Sequence, residues 1–127
     1  MPEETQQQTV LVVDDDREIV FIVTEILREL GLNVVSAEDG PKGLRIARTV
    51  RPSAILCDVV LPGMTGFEIA AALRADPAIQ HIPVIFITGY PALQQASPLQ
   101  GYAWILKPFS TASVRNAVEA VMRRDAA

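Results

Sequence analysis

Cysteine is nearly missing from this chain: the single one, Cys57, sits inside an apolar run, so no intrachain disulfide can staple the fold. A lone thiol without a partner suits a reducing compartment, and the plainest reading of Cys57 is a small buried hydrophobe. Histidine is equally scarce, and His81, next to Pro83 and ahead of an apolar run, reads as an exposed loop residue rather than a metal ligand or phosphodonor. Positive charge is not in excess: 11 Lys and Arg face 15 Asp and Glu, for a net charge of -4. With no basic patch beyond Arg123-Arg124 and no recognition-helix segment, a nucleic-acid partner is not expected. No apolar run approaches the roughly 20 residues that cross a bilayer. The start, MPEETQQQ, is acidic and polar where a signal peptide is basic and then apolar. A cytoplasmic protein without a membrane partner is the expectation. Repeats, linkers and low-complexity blocks are also lacking, and 127 residues leave room for one domain with a real core.

What is present is organised around Ile55-Leu56-Cys57-Asp58-Val59-Val60-Leu61-Pro62-Gly63. An apolar run too short for a helix reads as a buried strand, and it stops on a carboxylate and a turn-forming Pro-Gly. Four more short apolar runs are expected as strands, at 9–13, 33–36, 84–87 and 103–106, with the third at 54–57. The run Val10-Leu11-Val12-Val13 lacks polar alternation, as a strand covered on both faces must. Between the strands lie helical patterns. After Asp16 as N-cap, apolar residues at 19, 22, 23, 26, 27 and 30 form a stripe that Gly31 stops. Further helices are expected at 40–50, with Leu44, Ala47 and Ile46 inward, at 67–74, and at 110–123, capped by Ser110 with Val114, Ala117, Val118 and Val121 at core spacing. The stretch 90–101 holds Pro91, Pro98 and three glutamines, so a helix there is limited to a turn or two. Strands alternating with helices predict an α/β fold, a doubly wound five-stranded parallel sheet with helices on both faces. Residues 1–8 read as a disordered leader, 9–124 as the domain and 125–127 as a tail, leaving nothing over for an output domain.

In a parallel sheet the strand ends share one edge, which brings Asp14-Asp15, Asp58, Thr88 and Lys107 together. Clustered carboxylates repel unless a cation joins them, and hard oxygen ligands suit Mg2+. Metal, carboxylate, hydroxyl and ammonium form a phosphoryl-handling set. The cation and Lys107 balance charge, Thr88 donates a hydrogen bond, and a carboxylate is left as nucleophile. Taken alone, the three acids 14–16 could equally be a helix cap with dipole-favourable charges.

The motifs VLVVDDD, ILCDVVLPGMTGFE, PVIFITG and WILKPF together resemble the receiver domains of two-component response regulators over residues 9–123. The resemblance implies the flavodoxin-like strand order 2-1-3-4-5, which a chemotaxis receiver also illustrates. It implies Asp58 as phosphoacceptor, Asp14, Asp15, Asp58 and the backbone carbonyl of Val60 around magnesium, and Thr88 and Lys107 on the phosphoryl group. It further implies a cis peptide at Lys107-Pro108. The phosphodonor would be a histidine kinase or histidine phosphotransfer protein, and the output a phosphorylation-dependent protein partner, with the receiver a monomer or a phosphorylation-dependent dimer. Its only catalysis would be its own phosphorylation and dephosphorylation.

Two features depart from that pattern. Trp104 stands where the family carries a tyrosine or phenylalanine that turns inward on phosphorylation, so it is either a switch with Thr88 or simply a large core side chain. The interval from Thr88 to Lys107 is shorter than usual, which predicts a shortened or irregular fourth helix. The run Phe86-Ile87-Thr88-Gly89-Tyr90 resembles the F-A-T-G pattern of a subgroup of stand-alone receivers with an altered fourth helix. Val60 and Tyr90, flanking the site, offer no acid or amide to orient water, which predicts slow self-dephosphorylation. Two other readings are weighed. Asp14-x-Asp16 is similar to the nucleophile motif of haloacid-dehalogenase-like phosphatases, but Arg17-Glu18 and the sequence after Lys107 lack that fold's Gly-Thr-like continuation and second acidic pair. A non-phosphorylated pseudo-receiver scaffold is disfavoured by the intact acid, threonine and lysine set.

Overall fold

The computed structural model describes residues 8–96 and 102–126. Five strands, β1 (Thr9–Val13), β2 (Asn33–Ala37), β3 (Ala54–Asp58), β4 (Val84–Thr88) and β5 (Ala103–Leu106), form one parallel sheet in the order β2-β1-β3-β4-β5. The helices are α1 (Arg17–Glu29), α2 (Gly40–Val50), α3 (Gly66–Arg74), α4 (Pro91–Ala96) and α5 (Thr111–Ala126). The expected doubly wound architecture is therefore present.

The unbroken apolar strands are explained by two cores, one on each face. Val10, Val12, Leu56, Ile85 and Ile87 pack with Val23, Leu27, Val114 and Val118 of α1 and α5. Leu11, Val13, Ile55, Cys57 and Phe86 pack with Leu44, Ala47, Ile69 and Leu73 of α2 and α3. Successive residues of a strand point to opposite faces, so a strand covered twice must be apolar throughout.

Helix ends follow their local chemistry. Asp16 caps α1, its Oδ1 accepting from Glu18 N at 2.9 Å and Ile19 N at 3.4 Å. Gly31, with φ of 83°, ends it: Gly31 N donates to Arg28 O and Leu32 N to Leu27 O, the left-handed stop that glycine makes without strain. Ser110 and Ser113 cap α5 reciprocally, each backbone N donating to the other's hydroxyl at 3.0 Å.

Three expectations change. Ile22, expected on the buried stripe of α1, is 45% exposed, while Val20 packs against the core. At about 100° per residue, Val20 lies nearer the centre of the arc set by Ile19, Val23, Leu27 and Leu30 than Ile22 does. At the chain's end, α5 runs to Ala126, into the 125–127 stretch expected as a tail. At its start, Gln8 already joins the ladder between β1 and β2, its carbonyl accepting from Asn33 N at 2.9 Å. The rest of the expected leader, and residue 127, lie outside the described residues. The fourth helix is described over Pro91–Ala96, six residues starting at Pro91. Residues 97–101 of that irregular stretch lie outside the described residues.

Candidate functional site

Among the described residues the buried polar or charged side chains are Asp14, Asp58 and Thr88, and each stands at or just beyond the carboxyl end of a strand. Burying a carboxylate in an otherwise apolar sheet is unfavourable unless something compensates it. Lys107, one residue past β5, supplies part of that compensation: its Nζ donates to Asp58 Oδ2 at 3.0 Å and lies 3.6 Å from Asp14 Oδ2. Lys107 is placed by its own backbone, whose N donates to Thr88 O at 2.8 Å, and the Lys107-Pro108 peptide is cis as expected. The other Asp58 oxygen, Oδ1, accepts from Val60 N at 3.0 Å. Thr88 Oγ1 accepts from Tyr90 N at 3.0 Å, which leaves the hydroxyl proton available to a ligand.

Asp14 is incompletely satisfied. Its Oδ1 accepts from Asp16 N at 2.9 Å, but its buried Oδ2 has no hydrogen-bond partner. Burial pushes the Asp14 carboxyl up to about 6, and neighbouring Asp58 and Asp15 push the same way against Asp16 N and Lys107. For Lys107, burial opposes the charge, but the hydrogen bond to Asp58 and the field of Asp14 outweigh it and raise its pKa. Cys57 is buried and its thiol is pushed upward by burial and by both acids, so it stays protonated and inert, as expected of a small buried hydrophobe.

Carboxylate oxygens of Asp14, Asp15 and Asp58 lie within 4.8 Å of one another. An orphaned buried carboxylate oxygen beside two more acids is the donor set of a hard divalent cation, and it fits magnesium. Asp16 does not join it, because its side chain is committed to the α1 cap. The Asp14-x-Asp16 pair on which a phosphatase reading would rest therefore does not converge. The predicted set of Asp14, Asp15, Asp58, Thr88 and Lys107 is brought together at one edge, with Val60 52% exposed and Tyr90 62% exposed at its rim. Trp104 lies deeper along the sheet, partly buried, its ring 5.0 Å from Phe86 and 6.0 Å from Phe67.

One contributor is not singled out by the sequence reading. Gly66, the first residue of α3, donates from N to Val59 O at 2.9 Å, and a Cβ there would sit 2.5 Å from Asp58 O. Only a residue without a side chain lets α3 start this close to the backbone of Asp58. A signal for it exists: Thr65 and Glu68 form a capping box, each side chain accepting from the other's backbone N, and so mark Gly66 as a helix start.

The family model described as the response regulator receiver domain matches residues 10–119. The DNA-binding response regulator MtrA of Mycobacterium bovis is 33% identical over 125 residues, 96% of this chain and 54% of that protein. The probable transcriptional regulatory protein TcrX of Mycobacterium tuberculosis is 34% identical over 122 residues, 94% of this chain and 51% of that protein. The chain thus spans about half the length of the curated relatives it matches. Among solved structures, the chemotaxis response regulator CheY4 of Vibrio cholerae superposes with a TM-score of 0.83 at 31% identity, covering 91% of this chain and 99% of that one. The receiver domain of the sensor histidine kinase PA1611 of Pseudomonas aeruginosa, solved with a magnesium ion coordinated in its active site cleft, gives 0.84 at 30% identity, covering 93% and 99%.

Proposed function

Because this chain belongs to the response regulator receiver domain family of two-component signalling, which is not a conventional enzyme family, we propose that Asp58 is its phosphoacceptor and that Lys107 and Thr88 bind the incoming phosphoryl group. The observation that carries this reading is the placement of Lys107 Nζ 3.0 Å from Asp58 Oδ2, at a mouth where Asp14 and Asp15 crowd the same acid. Receiver domains take their phosphoryl group from histidine kinases, and this one draws on a histidine kinase or a histidine phosphotransfer protein.

The chemistry follows from the side chains. An oxygen of Asp58 attacks phosphorus, an acyl phosphate bond forms, and the donor's bond to phosphorus breaks in line with it. Val60 N keeps the carboxylate from rotating. Lys107 exchanges its contact with Asp58 for a phosphoryl oxygen, and Thr88, whose oxygen is already engaged by Tyr90 N, donates its proton to a second one. When bound by Asp14, Asp15, Asp58 and the Val60 carbonyl, a magnesium ion supplies the positive charge that lets an anionic nucleophile meet an anionic donor. The protein's own catalysis is limited to gaining and losing this group.

Phospho-Asp58 then alters the surface offered to a downstream protein partner, with the receiver monomeric or dimerising on phosphorylation. The reading places the protein in the cytoplasm, with no nucleic acid or membrane as its direct partner. In support, no helix among the described residues is long and apolar enough to cross a membrane. The test is incorporation of phosphate from acetyl phosphate with and without magnesium. Stoichiometric, chelator-sensitive incorporation is expected; its absence would favour a pseudo-receiver scaffold. A pull-down comparing beryllofluoride-treated and untreated protein then identifies the partner.

A further inference from the structure

β5, which carries Lys107 to Asp58, is an edge strand of four residues, paired among the described residues with β4 alone. Of its side chains only Ile105 is buried. The side chains alternate: Ala103 and Ile105 face the α1 and α5 core, while Trp104, and Tyr102 just before the strand, face the α3 core. A slip of one residue would exchange the two faces, which this burial forbids. A slip of two residues keeps every side chain on its own face. It would set Tyr102 in the place of Trp104 opposite Phe86, one aromatic for another, and carry Lys107 about 6.6 Å from its present position.

The observed register is marked by a contact that such a slip would remove. Arg74, in the last turn of α3, sets its guanidinium 5.0 Å over the Tyr102 ring, and that ring lies 5.1 Å from Phe86. A planar guanidinium over an aromatic face is attractive. Arg74 is not free to follow the strand, because its Nη1 donates to Gln80 O at 2.8 Å and to Ile82 O at 3.1 Å in the turn before β4. That turn is itself tied to β3, where Ile55 N donates to Pro83 O at 3.0 Å. The cation is thus fixed to the amino end of the sheet. At the opposite end Lys107 N donates to Thr88 O. Held at both ends, the strand delivers Lys107 Nζ to within 3.0 Å of Asp58 Oδ2.

We propose that Arg74 and Tyr102 are positioning residues for Lys107: their stack selects the β5 register in which the ammonium meets Asp58. The proposal rests on Asp58 being the phosphoacceptor and on Lys107 binding the phosphoryl group. The test is a double-mutant cycle with Lys107→Ala, read as the rate of labelling by acetyl phosphate at saturating magnesium and as magnesium affinity by calorimetry. Tyr102→Leu, which keeps apolar volume without a ring, should slow labelling several-fold, and so should Arg74→Ala. Tyr102→Phe, which keeps the ring, should label at the unmodified rate. Magnesium should bind more tightly in the two slowed variants, as in Lys107→Ala, because a displaced ammonium leaves the carboxylates; a general loosening of the site would weaken it. In the Lys107→Ala background neither substitution should change either quantity further. Slowing by the same factor in both backgrounds, weakened magnesium binding, or normal labelling by the folded variants would overturn the proposal. Arg74 is exposed, so Arg74→Ala carries the cycle if Tyr102→Leu does not fold. An unmodified protein that takes no label, or Lys107→Ala labelled at the unmodified rate, would overturn the underlying reading of Asp58 and Lys107 and the proposal with it.

Discussion

Lys107 Nζ reaches from the end of β5 to Asp58 Oδ2 at the end of β3, a contact of 3.0 Å between residues 49 apart in sequence. The same ammonium stands 3.6 Å from Asp14, so it occupies the field that a divalent cation would otherwise fill alone. Replacing Lys107 with Ala should therefore separate two properties. Magnesium should bind more tightly, because a competing positive charge leaves the carboxylates. Labelling by acetyl phosphate should slow by about 10²-fold, the usual effect of losing one donor to a developing anion. Calorimetric titration and a timed labelling assay read the two separately.

Asp14 makes the metal-free site costly to fold at neutral pH. Its carboxyl titrates at about 6 in the folded protein against an ordinary value of 3.8, so the folded state binds the proton more tightly than the unfolded chain. Stability from this group is fully present below the unfolded value and is lost as pH rises through 6. In chelator, Asp14→Asn should be more stable than the unmodified protein at pH 8 by on the order of 2 kcal/mol. The difference should shrink as pH falls from 6 towards 4, as denaturant melts across that window will show. With magnesium added at pH 8 the order should reverse, because the substitution removes a carboxylate ligand.

The glycines at two helix starts make a matched pair. A Cβ at Gly66 meets the Asp58 carbonyl at 2.5 Å, which is backbone and cannot step aside. At Gly40 the obstruction is the Met64 side chain, with Sδ at 2.7 Å and Cβ at 2.9 Å; a new rotamer moves the sulfur but not the Cβ, so the loop carrying Met64 must also give, away from the Asp58 backbone. Gly66→Ala should lose about 1–3 kcal/mol of stability and slow Asp58 labelling. Gly40→Ala should leave labelling unchanged. Melting curves with parallel labelling of both variants check this.

Val60, whose N donates to Asp58, and Tyr90, whose N donates to Thr88, are both exposed and offer only an alkyl group and a phenol next to the site. Neither orients attacking water as an acid or amide does, so the phospho-form should persist longer than in fast chemotaxis-type receivers. Val60→Asn or Tyr90→Glu should shorten its lifetime several-fold, measured by phosphate release. A lifetime already short in the unmodified protein would remove these two residues as its determinants.

Most of the fold and the placement of the candidate site's residues could be read from the chain because they rest on local, repeated signals. Short apolar runs without alternation require a doubly covered sheet, and in a parallel sheet the residue after each run must share one edge; Asp14, Asp58, Thr88 and Lys107 followed from that geometry. The facing of α1 was less legible, because Ile22 and Val20 both border the stripe and only tertiary packing decided between them. The role of Gly66 was not visible. A close approach between a helix start and a strand end is a distance in space, and the sequence records only that a glycine is permitted there. Trp104 could be recognised as unusual, but that its ring meets Phe67 of α3 required the packed structure.

The most direct test is to identify the residue that carries phosphate. After reaction with acetyl phosphate and magnesium, borohydride reduction followed by peptide mass spectrometry should place the modification on Asp58. Asp58→Asn should abolish it, and Asp14→Asn should only weaken it through the metal. A label on Asp14, or labelling that survives in Asp58→Asn, would contradict the assignment of Asp58 as the nucleophile.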